Sequence, residues 1–359
     1  MIKILTKSIA ILTCVCFIFS LGVTTNAVLV DEIIEILEQP NISNMVKYNF
    51  ETQTETIIPY DNIPKYSKIA QTSYEIDEIA SKKIETMDIL NTNSASTFSI
   101  INNGSFTLTP PTINYAPNHP YSGVVCISYK QTDLTTGETE WKAATGFLVS
   151  TNVVVTAAHV VLLQADEVGK ISIGNFRIFP EYNSTTIPDN NTTGYYASIV
   201  DMYYDADFVT TNRGSEAGQP LDWAILVIDK EFTTSFQFLY SYTTEAILNA
   251  QIAVTGYPTC LPIDCTHLTC AEHPNGLLAT SYGVVRGYDT ILYHEANTRG
   301  ANSGSPIYDP ETRICYAIHT YSQTYYENPN THIGYLCNQG TIITEEIFNQ
   351  ICYVVISYL

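Results

Sequence analysis

The chain has 359 residues, 45% hydrophobic and 14% charged, and a net charge of −20. That length supports one or two domains with a sizeable core. The few Lys and Arg form no run, which excludes a nucleic-acid partner, because nothing would neutralise its phosphates.

Residues 1–27 read as a secretory signal peptide. Lys3 and Lys7 give a positive start, Ile9 to Val23 an apolar run, and Thr25-Asn26-Ala27 a small-residue cleavage site. The apolar run is short for a membrane anchor. The expected location is secreted and extracellular, with no stable membrane anchor. Residues 28–98 differ in character: apolar residues at helical spacing lie among charges in Asp31 to Glu38 and in Tyr74 to Leu90. Asn91-Thr-Asn-Ser-Ala-Ser-Thr97 reads as a linker. About 70 residues make a small core to stand alone, so 28–98 is expected to be a removable pro-segment rather than an accessory domain.

From residue 99 onward short strands alternate with turn residues, and abundant Tyr and β-branched residues favour strands. Strands are predicted at Val124–Tyr129, Ala144–Val149, Asn152–Thr156, Ala224–Ile228, Gln251–Gly256, Gly283–Gly287, Ile291–Glu295, Pro306–Tyr308 and Cys315–Thr320. This spacing points to an all-β barrel or sandwich. A single helix is predicted near the end, capped by Thr344, with Ile347, Phe348, Ile351, Val354 and Val355 on one face. Seven cysteines lie beyond the signal, and an exported chain would tend to pair them. Cys315 with Cys337 is the preferred pair, as they flank one predicted hairpin. Cys260, Cys265 and Cys270 lie near His267 and His273, but their spacing fits no common zinc site, so a disulfide-pinned loop is expected and no metal. Asp189 to Gly194 lacks the Glu of an EF-hand loop and reads as a turn.

Three stretches carry chemistry. Ser303 sits in Thr298-Arg-Gly-Ala-Asn-Ser-Gly-Ser-Pro306, where small neighbours let backbone N–H groups approach a substrate carbonyl. His159 follows the apolar run Asn152-Val-Val-Val-Thr156 and two alanines, which places an imidazole at the edge of a core. Asp222 opens the apolar stretch Trp223 to Ile228, so its carboxylate is drawn inward and needs a hydrogen-bonding partner. Asp201 and Asp229 compete for that role, but neither starts a buried strand. A serine hydroxyl is a weak nucleophile that needs a base and an orienting third group, and His, Asp and Ser occur here in one workable order.

Thr156-Ala-Ala-His159, Leu221-Asp-Trp-Ala-Ile225 and Asn302-Ser-Gly-Ser-Pro306 resemble the secreted bacterial glutamyl endopeptidases, a branch of the chymotrypsin-like serine proteases. The resemblance spans roughly Ser99 to Leu359 and includes Thr255-Gly-Tyr-Pro258 and Ala317-Ile-His-Thr320. It implies two six-stranded antiparallel β-barrels with a C-terminal helix over residues 99–359, following the signal peptide and a cleaved pro-segment. It also implies Ser303 as nucleophile, His159 as general base, Asp222 as its orienting carboxylate, and the N–H groups of Ala301 and Ser303 as oxyanion hole. The family has glycine where Ala301 stands, and its small cysteine bridge beside the histidine is missing here. Thr298 and His319 match the family's positions for binding a substrate carboxylate, with Arg299 a possible aid. The expectation is a monomer that takes protein or peptide substrates and cuts after Glu, less readily after Asp, with no cofactor. The alternatives are a protease of other specificity, or a non-catalytic secreted homologue that binds target proteins.

Overall fold

Residues 44–66, 107–108, 120–180, 196–233, 235–242, 247–258, 278–327 and 334–358 are described in the computed structural model. The first half of the fold is built from β1 (Met45–Asn49), β2 (Thr54–Ile58), β3 (Thr107–Leu108), β4 (Val124–Asp133), β5 (Thr139–Ser150), β6 (Val153–Thr156), β7 (Ile171–Pro180), β8 (Ile199–Asp205) and β9 (Ala224–Ile228). The second half follows as β10 (Leu239–Tyr240), β11 (Gln251–Gly256), β12 (Ala279–Tyr288), β13 (Ile291–His294), β14 (Pro306–Tyr308), β15 (Ile314–Glu327) and β16 (Gly334–Ile342). A four-residue helix, α1 (Ala158–Val161), follows β6, and α2 (Glu345–Ser357) ends the described chain.

The first sheet runs β2-β1-β8-β9-β6-β5-β4-β7. β6 and β9 lie at its centre, which is why Val153-Val-Val-Thr156 and Ala224-Ile-Leu-Val-Ile228 are buried at every position. A continuous apolar run of that length is the signature of a strand covered on both faces. The far ends of the six strands β4 to β9 meet where Ile178 of β7 and Ala197 exchange two backbone hydrogen bonds of 2.9 Å. In the second half, β11-β12-β13-β16-β15-β14 closes on itself, because β14 pairs back to β11 through Ala253↔Tyr308 and Val254↔Ile307. Six antiparallel strands thus form a closed barrel. The short strands β3 and β10 attach to its β12 and β15. The all-β, two-barrel architecture with a terminal helix is the one expected from the sequence.

Helix α2 begins where predicted: the Thr344 hydroxyl accepts the Ile347 N–H at 3.3 Å, and Ile347, Phe348, Ile351 and Val354 are buried. Phe348 meets the rings of Tyr240 and Tyr242 at 5.4 and 5.2 Å. The predicted strands are present, several of them longer than expected. β1 and β2 lie inside 28–98 yet extend the first sheet, β1 pairing with β8 from Met45↔Asp205 to Asn49↔Asp201. The signal segment, the two predicted helices of 28–98, Asp189–Gly194 and the Cys260–Cys270 cluster lie outside the described residues. No helix among the described residues is long and apolar enough to cross a membrane.

The expected Cys315–Cys337 disulfide is absent. Both are free thiols, as are Cys126 and Cys352. Register explains it: Cys337 of β16 stands opposite Thr324, whereas Cys315 lies at the other end of β15 beyond the Ala317↔Ile342 pair. Nine residues of strand separate Cys315 from Cys337's partner, about 30 Å, against a disulfide Cα span of about 7 Å at most. Burial pushes the thiols of Cys126, Cys315 and Cys337 up to about 12 and that of Cys352 up to about 11, so all four are inert at neutral pH.

Candidate active site

Asp222 is fully buried at the end of the 3₁₀ turn Gln219–Leu221, just before β9. Its backbone is held from the second barrel, because the Thr341 hydroxyl on β16 bonds the Gln219 carbonyl at 2.8 Å and lies 3.3 Å from that of Asp222. Both carboxylate oxygens point at one residue. Oδ1 accepts the His159 backbone N–H at 2.9 Å, and Oδ2 lies 2.7 Å from His159 Nδ1. With Nδ1–H donated to the carboxylate, the other ring nitrogen is left as the proton acceptor. Ala157 and Ala158 are fully buried, so the turn into α1 packs tightly and sets the ring at the end of β6. Tyr321 stacks on the imidazole, ring centroids 5.5 Å apart and 27° from parallel. Of the competing aspartates, Asp201 pairs with Lys47 at 3.2 Å and Asp229 accepts the Ser198 N–H at 2.8 Å.

The loop bearing Ser303 is clamped from both barrels. The Ser303 carbonyl accepts the N–H of Thr145 on β5 at 2.9 Å, while the Gly304 N–H donates to the His319 carbonyl on β15 at 2.8 Å. The buried Thr145 hydroxyl donates to the Ala301 carbonyl at 2.8 Å and accepts the Tyr257 N–H at 3.0 Å. Two glycines allow this approach. A Cβ on Gly304, whose φ is +88°, would stand 2.0 Å from the Thr145 carbonyl oxygen and 2.1 Å from Thr156 Oγ1. A Cβ on Gly256 would stand 2.1 Å from Ser305 Oγ. Ala301 has φ 69°, so the position at which the family resemblance implies glycine is left-handed and an alanine occupies it.

Behind the loop is a group of buried polar atoms. Thr298 Oγ1, His319 Nδ1 and both ring nitrogens of His294 have no hydrogen-bond partner among the described residues. The His294 and His319 rings meet edge to face at 5.6 Å. Burial, then the charge of His159, pushes His319 down to about 3, and burial holds His294 well below the ordinary value, so both are neutral near pH 7. Sequence reading missed His294 and Tyr321. The available signals were the two-residue alternation from Leu292 to His294 on a short apolar strand, and Tyr321 two places beyond His319.

Two buried neutral imidazoles make stability depend on pH with a definite sign. Below about 6.5 the unfolded chain binds protons that the folded chain refuses until far lower pH. Stability is therefore present above about 6.5 and is lost as pH falls, with a slope to which both histidines contribute. Urea unfolding between pH 7 and 4.5 is expected to show that slope, and a His294→Phe variant a shallower one. Equal slopes would contradict the assignment.

Asp222 is thus paired with His159, and the Ser303 loop is held separately by β5 and β15. Residues 144–315 match the trypsin-like peptidase domain. The match begins at β5, takes in His159, Asp222 and Ser303, and ends at the start of β15. Over 236 residues the chain is 25% identical to the glutamyl endopeptidase of Bacillus licheniformis, which covers 65% of this chain and 63% of that protein. The alignment thus spans less than two thirds of the curated relative's length. A solved Glu endopeptidase in complex with MPD superposes with a TM-score of 0.50 at 19% identity, over 71% of this chain and 99% of the other. That likeness shows the fold: the chain has the chymotrypsin-like double barrel.

Proposed function

We propose that the chain is a secreted serine endopeptidase that hydrolyses peptide bonds after acidic residues, Glu in preference to Asp. The observation that carries this reading is the buried Asp222 carboxylate bonding both the backbone and Nδ1 of His159. In the proposed reaction the Ser303 hydroxyl oxygen attacks the scissile carbonyl and passes its proton to His159 Nε2. The tetrahedral oxyanion is held by the Ser303 and Ala301 N–H groups. His159 then returns the proton to the leaving amine, and a water, deprotonated by the same nitrogen, releases the acyl group from Ser303. Asp222 keeps the ring in the required tautomer throughout.

The acidic preference is supported by Thr298 and His319. A substrate carboxylate arriving there supplies the acceptor the Thr298 hydroxyl lacks, and its charge draws a proton onto His319. A peptide library cut by the processed protein is expected to show Glu enriched before the scissile bond. Cleavage with no such enrichment would remove the specificity claim and leave the peptidase claim standing.

The φ of Ala301 favours one competing reading, a homologue with weak or no turnover, because strain there can tilt an oxyanion donor. Ala301→Gly relieves that strain, offset in stability by the added freedom of the unfolded chain. The expected result is kcat higher by up to about tenfold with Tm nearly unchanged. An unchanged kcat would place this N–H outside the oxyanion hole.

A further inference from the structure

We propose that residues 44–66 are a permanent strand pair of the folded domain: when the backbone is cut after them, they stay bound to the first barrel and helix α2 as a second chain. Their partner is this chain's own β8 edge, and the inference does not depend on the peptidase reading. β1 pairs along its whole length with β8, from Met45↔Asp205 to Asn49↔Asp201, and β2 covers the outer edge of β1. Without this hairpin β8 would present an unpaired edge of hydrogen-bonding groups. Docking is also apolar, since Met45, Val46 and Ile63 are buried in the main hydrophobic core.

Charge argues in the same direction. Asp201 on β8 is 3% exposed, a buried carboxylate that needs partners. Two of them come from the hairpin: Lys47 Nζ at 3.2 Å and the Asn49 amide at 2.7 Å. Tyr358, at the end of α2, donates its hydroxyl to the same carboxylate and accepts from Lys47 at 2.9 Å. Farther along, the Tyr66 N–H donates to the buried Asn349 side chain of α2 at 2.8 Å, and Tyr204 on β8 donates to Glu55 at 3.1 Å. Release of 44–66 would leave Asp201 buried without its cation, β8 without its ladder and an apolar slot open. The chain beyond a cut near residue 98 keeps its own attachment, because Thr107–Leu108 pairs with β12 of the second barrel.

The test uses the full chain carrying Ser303→Ala, to prevent self-digestion, with a site-specific protease recognition sequence replacing residues 91–97. After the cut, native size-exclusion chromatography and intact-mass analysis are expected to find the N-terminal fragment eluting with the 99–359 portion. The two should separate only in denaturant. Lys47→Met, cut in the same way, is expected to release the fragment at least tenfold more readily, whereas Gln53→Ala at the exposed hairpin turn should not. Separation of the two parts under native conditions after the cut, with the hairpin unsubstituted, would overturn the proposal, as would equal retention of the Lys47→Met and parental fragments.

Discussion

Replacing Asp222 with Asn is expected to lower kcat by about 10⁴-fold with the chain still folded. The carboxylate accepts at both oxygens, from the His159 backbone and from its Nδ1. An amide of the same shape can accept at one position only. If its oxygen keeps the backbone N–H, its NH₂ faces Nδ1, and the imidazole must take the opposite tautomer, with the proton on the nitrogen that should accept from Ser303. Steady-state kinetics on a Glu-containing peptide, with a thermal melt as control, measures this. A loss smaller than tenfold at unchanged Tm would mean that Asp222 does not orient the base.

Gly304→Ala is expected to remove both activity and stability, by roughly 3 kcal/mol or more. The added methyl meets two atoms that cannot move away, the Thr145 carbonyl oxygen at 2.0 Å and the Thr156 hydroxyl at 2.1 Å. Thr156 Oγ1 is itself fixed by donating to the Thr145 carbonyl at 2.7 Å. The left-handed φ of +88° adds backbone strain to the clash. Gly256→Ala provides the contrast: its nearest neighbour is the end of the Ser305 side chain, and φ is not in the strained region, so the cost should be smaller. Urea midpoints of the two variants check the order. Equal or reversed losses would show that the serine loop is not clamped against β5 and β6 as described.

The parts of the site legible in the sequence were those whose causes are local. A continuous apolar run marked β6 and β9, and His159 and Asp222, which the fold pairs, each adjoin such a run. At position 301 the resemblance implied glycine, and the left-handed φ of Ala301 gives the physical reason glycine would suit it. What could not be read has its cause far away along the chain. β8, Ile-Val-Asp-Met-Tyr-Tyr-Asp, looks too acidic for a buried strand until Lys47 and Asn49, more than 150 residues earlier, are seen to neutralise and bond Asp201. β7 buries only Ile178 and Phe179 fully along its ten residues, so its pattern shows neither alternation nor a run. The Cys315–Cys337 expectation failed for a related reason: two cysteines flanking a hairpin pair only if register places them opposite, and β15 is long enough to carry them to opposite ends.

The central claim is that the imidazole held by Asp222 activates Ser303. Labelling the processed protein with a fluorophosphonate, followed by peptide mass analysis, tests it most directly. One phosphonyl group per chain is expected on Ser303, with labelling abolished by Ser303→Ala and slowed at least a hundredfold by His159→Ala. An unlabelled Ser303 in folded, processed protein, or labelling that proceeds equally fast without His159, would contradict it.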